Sequence, residues 1–364
     1  MLPRNAELWL PNLLVSRLAR RPAVPETGID IFFCVADHFE PARDGATLSL
    51  QRERVGRWVK GFPPLAERFR DADGRPPQHT FFYPAEEYHP DHLDEIGRLV
   101  HAGLAEVEIH LHHDNDTADG LRSKLEKFKE CLAGHGLLCT DRLDGRLKYA
   151  FIHGNWALDN SRRDRRMCGV NNELAVLKET GCYADFTLPS APNDTQTWTL
   201  NCIYYATDDP ERPKSHDRGV PVTVGGRTSG DLLLIQGPLG LDWRSRKWGL
   251  LPRVENGSLH GVNPPTVNRF RLWIDAGVCV IGRPEWVFVK VYTHGCVEEN
   301  AAVLLGPAME RFYEEINGRF NDGRRYRLHY VTAREMANLV RAAQAGERGD
   351  PNQFRDYELV RASR

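Results

Sequence analysis

Four short segments concentrate residues that bind metal, move protons or hold a polar ligand. The densest reads Glu108-Ile-His110-Leu-His112-His113-Asp114-Asn115-Asp116. On an extended strand, residues two apart share a face, so Glu108, His110 and His112 are expected to point together, with Ile109 and Leu111 packing behind them. Imidazole beside carboxylate suits zinc, iron, cobalt or nickel. In Asp37-His38-Phe39-Glu40-Pro41, one side chain can ligate an ion while its neighbour takes a proton from water. Tyr292-Thr293-His294-Gly295 ends an apolar run on a histidine free to reach a cleft and protonate a leaving group. Phe151-Ile-His153-Gly154-Asn155-Trp156 joins an aromatic ring to hydrogen-bonding groups, a mixture that suits a sugar. Nearby, Arg162, Arg163, Arg165 and Arg166 read as a solvated helix face, or as a local seat for phosphate or carboxylate.

These segments fall where strands stop. Ile29 to Val35 is a nearly continuous apolar run, the pattern of a strand buried on both faces. Further strands are predicted over 79–83, 105–112, 149–152, 183–187, 284–292 and 325–331. Helices are predicted over 48–69 (interrupted at Pro63 and Pro64), 91–103, 120–134, 172–180, 267–277, 298–317 and 332–344. The alternation argues for an α/β fold with a parallel sheet. In such folds the site lies at the carboxyl ends of the strands, where these segments gather. Residues 192–265 are rich in Pro, Gly, Asp and Thr and read as a long insertion with short strands. The expected organisation is an N-terminal arm (1–28), one barrel-like domain (29–345) carrying the insertion, and a loose polar tail (346–364).

Composition narrows the function classes. The 364 residues carry 48 Lys plus Arg against 50 Asp plus Glu, a net charge of -2, which gives no electrostatic footprint for nucleic acid or an anionic membrane. With 41% hydrophobic residues the chain is not a disordered one. Its eight cysteines form no C-x-x-C pair, and scattered thiols in a chain of this size favour a reducing, cytoplasmic setting. Leu8 to Leu14 is broken by Pro11 and followed, not preceded, by Arg17, Arg20 and Arg21, the reverse of a signal peptide. The arm is expected to be a docking helix or a frayed end, with a surface-lying amphipathic helix as the alternative. No segment approaches the ~18–20 apolar residues of a membrane span.

Three of these motifs together resemble the NodB-like polysaccharide deacetylases of the glycoside hydrolase/deacetylase superfamily. An apolar strand ends in Asp37-His38, where that family has two aspartates. Glu108-Ile-His110-Leu-His112 with Asp116 stands where it has Glu-x-Gly-x-His and a second His. His294 follows an apolar strand, as its late catalytic His does. The resemblance implies a distorted (β/α)7-type barrel with a long insertion. It implies a divalent metal, zinc, held by His38, His112 and Asp116, with His110 and Asp114 as competing ligands. Asp37 would be the base and His294 the acid, and His153, Asn155 and Trp156 would contact the substrate. The implied activity is removal of an acetyl group from an N- or O-acetylated sugar or polysaccharide precursor. A glycoside hydrolase using two of Asp37, Glu40, Asp185 and Asp242, or a non-catalytic carbohydrate-binding barrel, are the alternatives. The sugar and the oligomeric state are left open.

Overall fold

The structure, a computed structural model, describes residues 3–19 and 28–361. In chain order the first elements are α1 (Ala6–Ala19), β1 (Ile29–His38), α2 (Leu48–Ala66), β2 (His79–Pro84), α3 (Pro90–His101), β3 (Ala105–Leu111), α4 (Ala118–Gly134), β4 (Cys139–Asp141), β5 (Leu147–His153), α5 (Glu173–Glu179) and β6 (Cys182–Asp185). There follow β7 (Ile203–Ala206), β8 (Val220–Pro221), β9 (Leu232–Ile235), β10 (Gly240–Lys247), β11 (Leu251–Glu255), β12 (Ser258–Leu259) and α6 (Val267–Asp275). The chain ends with β13 (Trp286–Thr293), α7 (Glu298–Leu304), α8 (Pro307–Phe320), β14 (Tyr326–Tyr330), α9 (Ala333–Ala345) and β15 (Leu359–Arg361).

The main sheet runs β12-β13-β1-β2-β3-β5-β6-β9-β7-β8. Along this order it is parallel from β12 to β9 and antiparallel at β7 and β8, and β4 and β15 add antiparallel pairs beside β5. β14 pairs with Ile29–Phe33 of β1, and β2 takes over at Ala36–His38. The molecule is thus α/β with a mostly parallel central sheet. The pairings run in an open order and do not of themselves close a seven-stranded barrel.

Alternation along each strand sorts the core into two layers. Ile31, Phe33 and Val35 of β1 join Val107, Ile109 and Leu111 of β3 and Val287, Val289 and Val291 of β13 beneath α2, α3, α4 and α8. Phe32, Cys34 and Ala36 join Ala150, Ile152, Leu233, Ile235 and Phe288 on the other face, where Met336, Leu339 and Val340 of α9 pack. A strand covered on both faces has no place for solvated polar residues until it reaches its end. That is why the reactive side chains collect there.

Several local expectations change. Pro63 and Pro64 lie inside a continuous α2 instead of interrupting it. They remove only the donors to the carbonyls of Val59 and Lys60, and the ladder resumes with Glu67 N–H donating to Pro63 O at 2.9 Å. The single helix expected over 298–317 is two, because Pro307 opens α8 at its first turn. Part of the segment 192–265 belongs to the main sheet: it supplies β9, parallel to β6, and β7 and β8 at the edge, while β10 and β11 form a separate hairpin. The arm is a docked helix over its described residues, with Trp9 and Leu13 buried against Ala191, Leu200 and Leu239. Residues 20–27 of the arm and 362–364 of the tail lie outside the described residues.

The tail is not loose over residues 346–361. β15 pairs antiparallel with β4, and Arg355 is 2% exposed. Its guanidinium bonds Asp73 at 2.6 Å, Glu335 at 3.0 Å, Asp71 at 3.3 Å and the Tyr330 carbonyl at 2.7 Å. Asp71, Asp73 and His329 lie close enough to share an ion, but Arg355 already supplies their positive charge. Truncating Arg355 would leave the buried Asp71 carboxylate without a cationic partner and take one from Asp73 and Glu335. Arg355→Ala is expected to cost about 3–5 kcal/mol of stability. Urea unfolding followed by circular dichroism checks this, and a cost under about 1 kcal/mol, the range of an exposed pair, would contradict the reading.

Candidate metal centre

Three strands bring histidines to one end of the sheet face that carries Phe32, Cys34 and Ala36. His38 is the last residue of β1, His110 the penultimate residue of β3, and His294 follows β13. The turn after β1 returns Glu40 beneath them. Ligand atoms of His38, Glu40 and His110 lie within 4.8 Å of one another, and all three residues are buried. The His38 ring centroid is 4.9 Å from that of His110 and 4.7 Å from that of His294.

The hydrogen bonds fix which nitrogen faces inward. His110 Nδ1 donates to the Ile152 carbonyl at 2.8 Å, so in the neutral ring Nε2 carries the lone pair, 3.2 Å from Glu40 Oε1. His112 repeats the pattern. Its Nδ1 donates to Glu86 Oε1 at 2.5 Å, and its Nε2 stands 3.5 Å from the same Glu40 oxygen. Two lone pairs and a carboxylate converge, so either a proton or a cation must lie between them. A carboxylate or carbonyl behind an imidazole is the arrangement that orients metal-binding histidines.

Burial works to raise the Glu40 carboxyl, but the hydrogen bond and charge of His110, with His294 and Arg43, hold it well below the ordinary range. Burial, then the neighbouring His294 and His110, depress His38 well below a free imidazole. Burial takes His294 down to about 4. Both rings are neutral at neutral pH, the form that ligates. For His112 burial opposes charging, but the bond to Glu86 and the carboxylates of Glu86, Glu40 and Glu87 raise it above the usual value. The side chain of His112 is 33% exposed and that of Glu86 35%, and both border a cleft of about 380 Å³. The cluster therefore has one face open to solvent. A cleft of about 460 Å³ lined by Asp242, Trp243 and Arg271 contains none of these histidines.

The other expected residues are dispersed. Asp37 and His38 are neighbours on a strand and project to opposite faces. Asp37 is fully buried, with Oδ2 bonded to His79 Nε2 at 2.9 Å and Oδ1 accepting the Gly295 N–H at 2.6 Å. Gly295 is needed because a Cβ there would strike the Asp37 carboxylate and the Trp58 ring. Asp116 pairs with Lys124 at 2.5 Å and lies 3.1 Å from His113 Nδ1, outside the His38 cluster. Asp114 pairs with Arg166 and accepts the Met167 N–H at 2.7 Å. Arg162 meets Asp164 and Arg163 meets Glu7, so the basic run sits in a turn-rich loop with local acidic partners.

His153 is fully buried and turned toward Glu173. Asn155 is exposed, whereas Trp156 leans over the cluster, its ring centroid 6.4 Å from both His38 and His294. Asn155 and Trp156 hold φ of 55°, and the Trp156 indole N–H is buried without a protein acceptor. Glu108 shares the face of His110 but bonds Tyr183 and the Ala150 N–H, and burial pushes it up to about 8. Asp185 folds back on Thr187, and Asp242 accepts backbone N–H groups in its own hairpin.

Sequence reasoning named Glu40 only as one of several carboxylates and missed Glu86 and His79. Glu40 carried a signal, two residues beyond His38. Glu86 and His79 carried none, since their roles come from contacts across strands. Comparison with protein-family models, with curated proteins and with solved structures returned no match.

The Glu86–His112 bond makes a further expectation. Glu86→Ala should weaken binding of a divalent ion at the His38 cluster about 10–100-fold. Competition with a chromogenic chelator measures this, and unchanged affinity would place His112 outside the centre.

Proposed function

We propose that the protein is a metal-dependent hydrolase that removes an acetyl group from an N- or O-acetylated sugar, with its centre at His38, Glu40 and His110 and with His112 at the open side. The observation that carries this reading is the convergence of His110 Nε2 and His112 Nε2 on one buried Glu40 oxygen, at 3.2 and 3.5 Å. The donor set of imidazoles and one carboxylate fits zinc and leaves room for a fourth ligand, as in catalytic sites. The resemblance of the strand-end motifs to the NodB-like deacetylases supports the same chemistry. A distorted (β/α)7 barrel is the architecture that goes with it. Seven parallel strands, β13, β1, β2, β3, β5, β6 and β9, supply the staves. Lys290 of β13 donates to the carbonyls of Phe186 and Leu188 beyond β6, across the seam.

When bound, a zinc ion polarises an acyl carbonyl and lowers the pKa of water. The remaining work falls to the chain. His112, its Nδ1 proton held by Glu86, presents its Nε2 lone pair toward the cluster at the open side. His294, neutral at rest, can take a proton during turnover and pass it to the leaving amine or alcohol. Asp37, expected as the base, has both oxygens committed. By holding the Gly295 N–H it acts as a positioning residue for His294. Trp156, close to His38 and His294, offers an aromatic ring to the sugar.

The test is acetate release from a chitin oligosaccharide and from an O-acetylated xylo-oligosaccharide by the zinc-loaded protein. Chelation should abolish release. His110→Ala should lower kcat/KM by roughly 10²-fold or more, because a metal contributes several kcal/mol and each ~1.4 kcal/mol is tenfold. New reducing ends without acetate would move the reading to a glycoside hydrolase, and binding without turnover to a non-catalytic barrel.

A further inference from the structure

Beside the His38 cluster lies a second group, closed where the first is open. His113 follows β3, His153 ends β5, Cys168 lies in the loop between β5 and α5, and Glu173 begins α5. Their ligand atoms all lie within 4.8 Å of one another, and all four residues are buried. Glu173 Oε1 is 3.3 Å from His113 Nε2 and 3.5 Å from His153 Nε2, and Cys168 Sγ is 3.4 Å from Glu173 Oε2. A tetrahedral zinc with bonds of about 2.0–2.3 Å separates its ligand atoms by roughly 3.3–3.8 Å, so the two Nε2–Oε1 spacings match edges of such a site.

Proton positions point the same way. His153 Nδ1 donates to the Gly154 carbonyl at 2.6 Å, which leaves a lone pair on Nε2. That Nε2 is fully buried, has no hydrogen-bond partner, and faces a carboxylate oxygen. An unpaired acceptor directed at an anion inside the protein is costly unless a cation lies between them. His113 Nδ1 lies 3.1 Å from Asp116, which pairs with Lys124, but makes no hydrogen bond to it. Cys168 Sγ accepts the N–H groups of Asn160 at 3.3 Å and Val170 at 3.4 Å, and burial beside the Glu173 charge keeps it a thiol that donates to Glu173 Oε2 while no cation is bound. The Asp159 N–H holds Glu173 Oε2 at 2.5 Å.

We propose that His113, His153, Cys168 and Glu173 form a second, structural site for zinc that is separate from the hydrolytic centre and pins the loop between β5 and α5. The thiolate and carboxylate together neutralise the ion, and loading releases the Cys168 thiol proton to solvent. Four protein ligands with no open position are the mark of a structural zinc. The loop has reason to be pinned. Asn155, Trp156, Asp159, Asn160, Arg165 and Met167 all hold φ between 52° and 66°, a conformation that non-glycine residues keep only when their surroundings impose it. The site would thereby hold Trp156 over His38. Asp116, expected as a ligand of the catalytic ion, lies instead beside His113 of this one.

Cobalt substitution tests the proposal on the full chain. The chelator-stripped protein is titrated with Co²⁺ alone, and bound metal and absorption are read together. A thiolate-to-cobalt charge-transfer band in the near ultraviolet, with intense tetrahedral visible bands, is expected at one equivalent per chain. Cys168→Ser should lose the charge-transfer band and one equivalent. His110→Ala should keep the band while losing the equivalent assigned to the hydrolytic centre. Absence of the band in the wild-type protein overturns the proposal whether or not the variants fold. The same holds if the band survives in Cys168→Ser. A single colourless equivalent removed by His110→Ala would overturn this second site and leave the hydrolytic centre standing.

Discussion

A carboxylate buried against imidazole nitrogens whose protons point elsewhere needs positive charge between them, and this requirement organises the carboxyl end of the sheet. Backbone carbonyls, of Ile152 for His110 and of Gly154 for His153, draw the Nδ1 protons outward. The inward nitrogens meet Glu40 in one place and Glu173 in the other. The contrast with the far end of β14 is instructive. There Asp71 and Asp73 converge as closely, but Arg355 supplies the charge and the group is complete within the protein.

The sheet makes this arrangement possible. Because both faces are covered, polar residues within the strands are compensated in place: Glu106 by Arg334 and Arg361, and Glu108 by Tyr183 and the Ala150 N–H. Only at strand ends do His38, His110 and His294 meet without such internal partners for every nitrogen. Glycines let these rings approach. A Cβ at Gly154 would strike the His112 ring. The Gly after His294 has a different function from the freedom expected of it, because it makes room for Asp37.

Much of the fold was readable from local pattern. The apolar runs of β1, β2, β3, β5 and β13 and the helical periodicity of α3, α4 and α9 each fall within a few residues of their expected bounds, since strands buried on both faces and amphipathic helices leave distinct signatures. The tail was misread because the Asp71 and Asp73 partners of Arg355 and the β4 partner of β15 lie some 200 or more residues away. His38, His110 and His112 were legible as strand-end histidines, and His294 likewise. The resemblance placed Asp116 in the same set, but the turn after β3 carries it to His113. Cys168 and Glu173 were invisible for a related reason: a lone cysteine and the first residue of a helix become ligands only when a loop folds them onto His113 and His153.

The central claim is that the inward-facing nitrogens mark cation sites, and crystals of the zinc-loaded full chain test it most directly. Anomalous difference maps collected on both sides of the zinc absorption edge should show two peaks, one among His38, Glu40 and His110 and one among His113, His153, Cys168 and Glu173. Maps without a peak at either position, with His110 Nε2 bonded directly to Glu40 and His153 Nε2 to Glu173, would mean that protons, not metal, supply the missing charge.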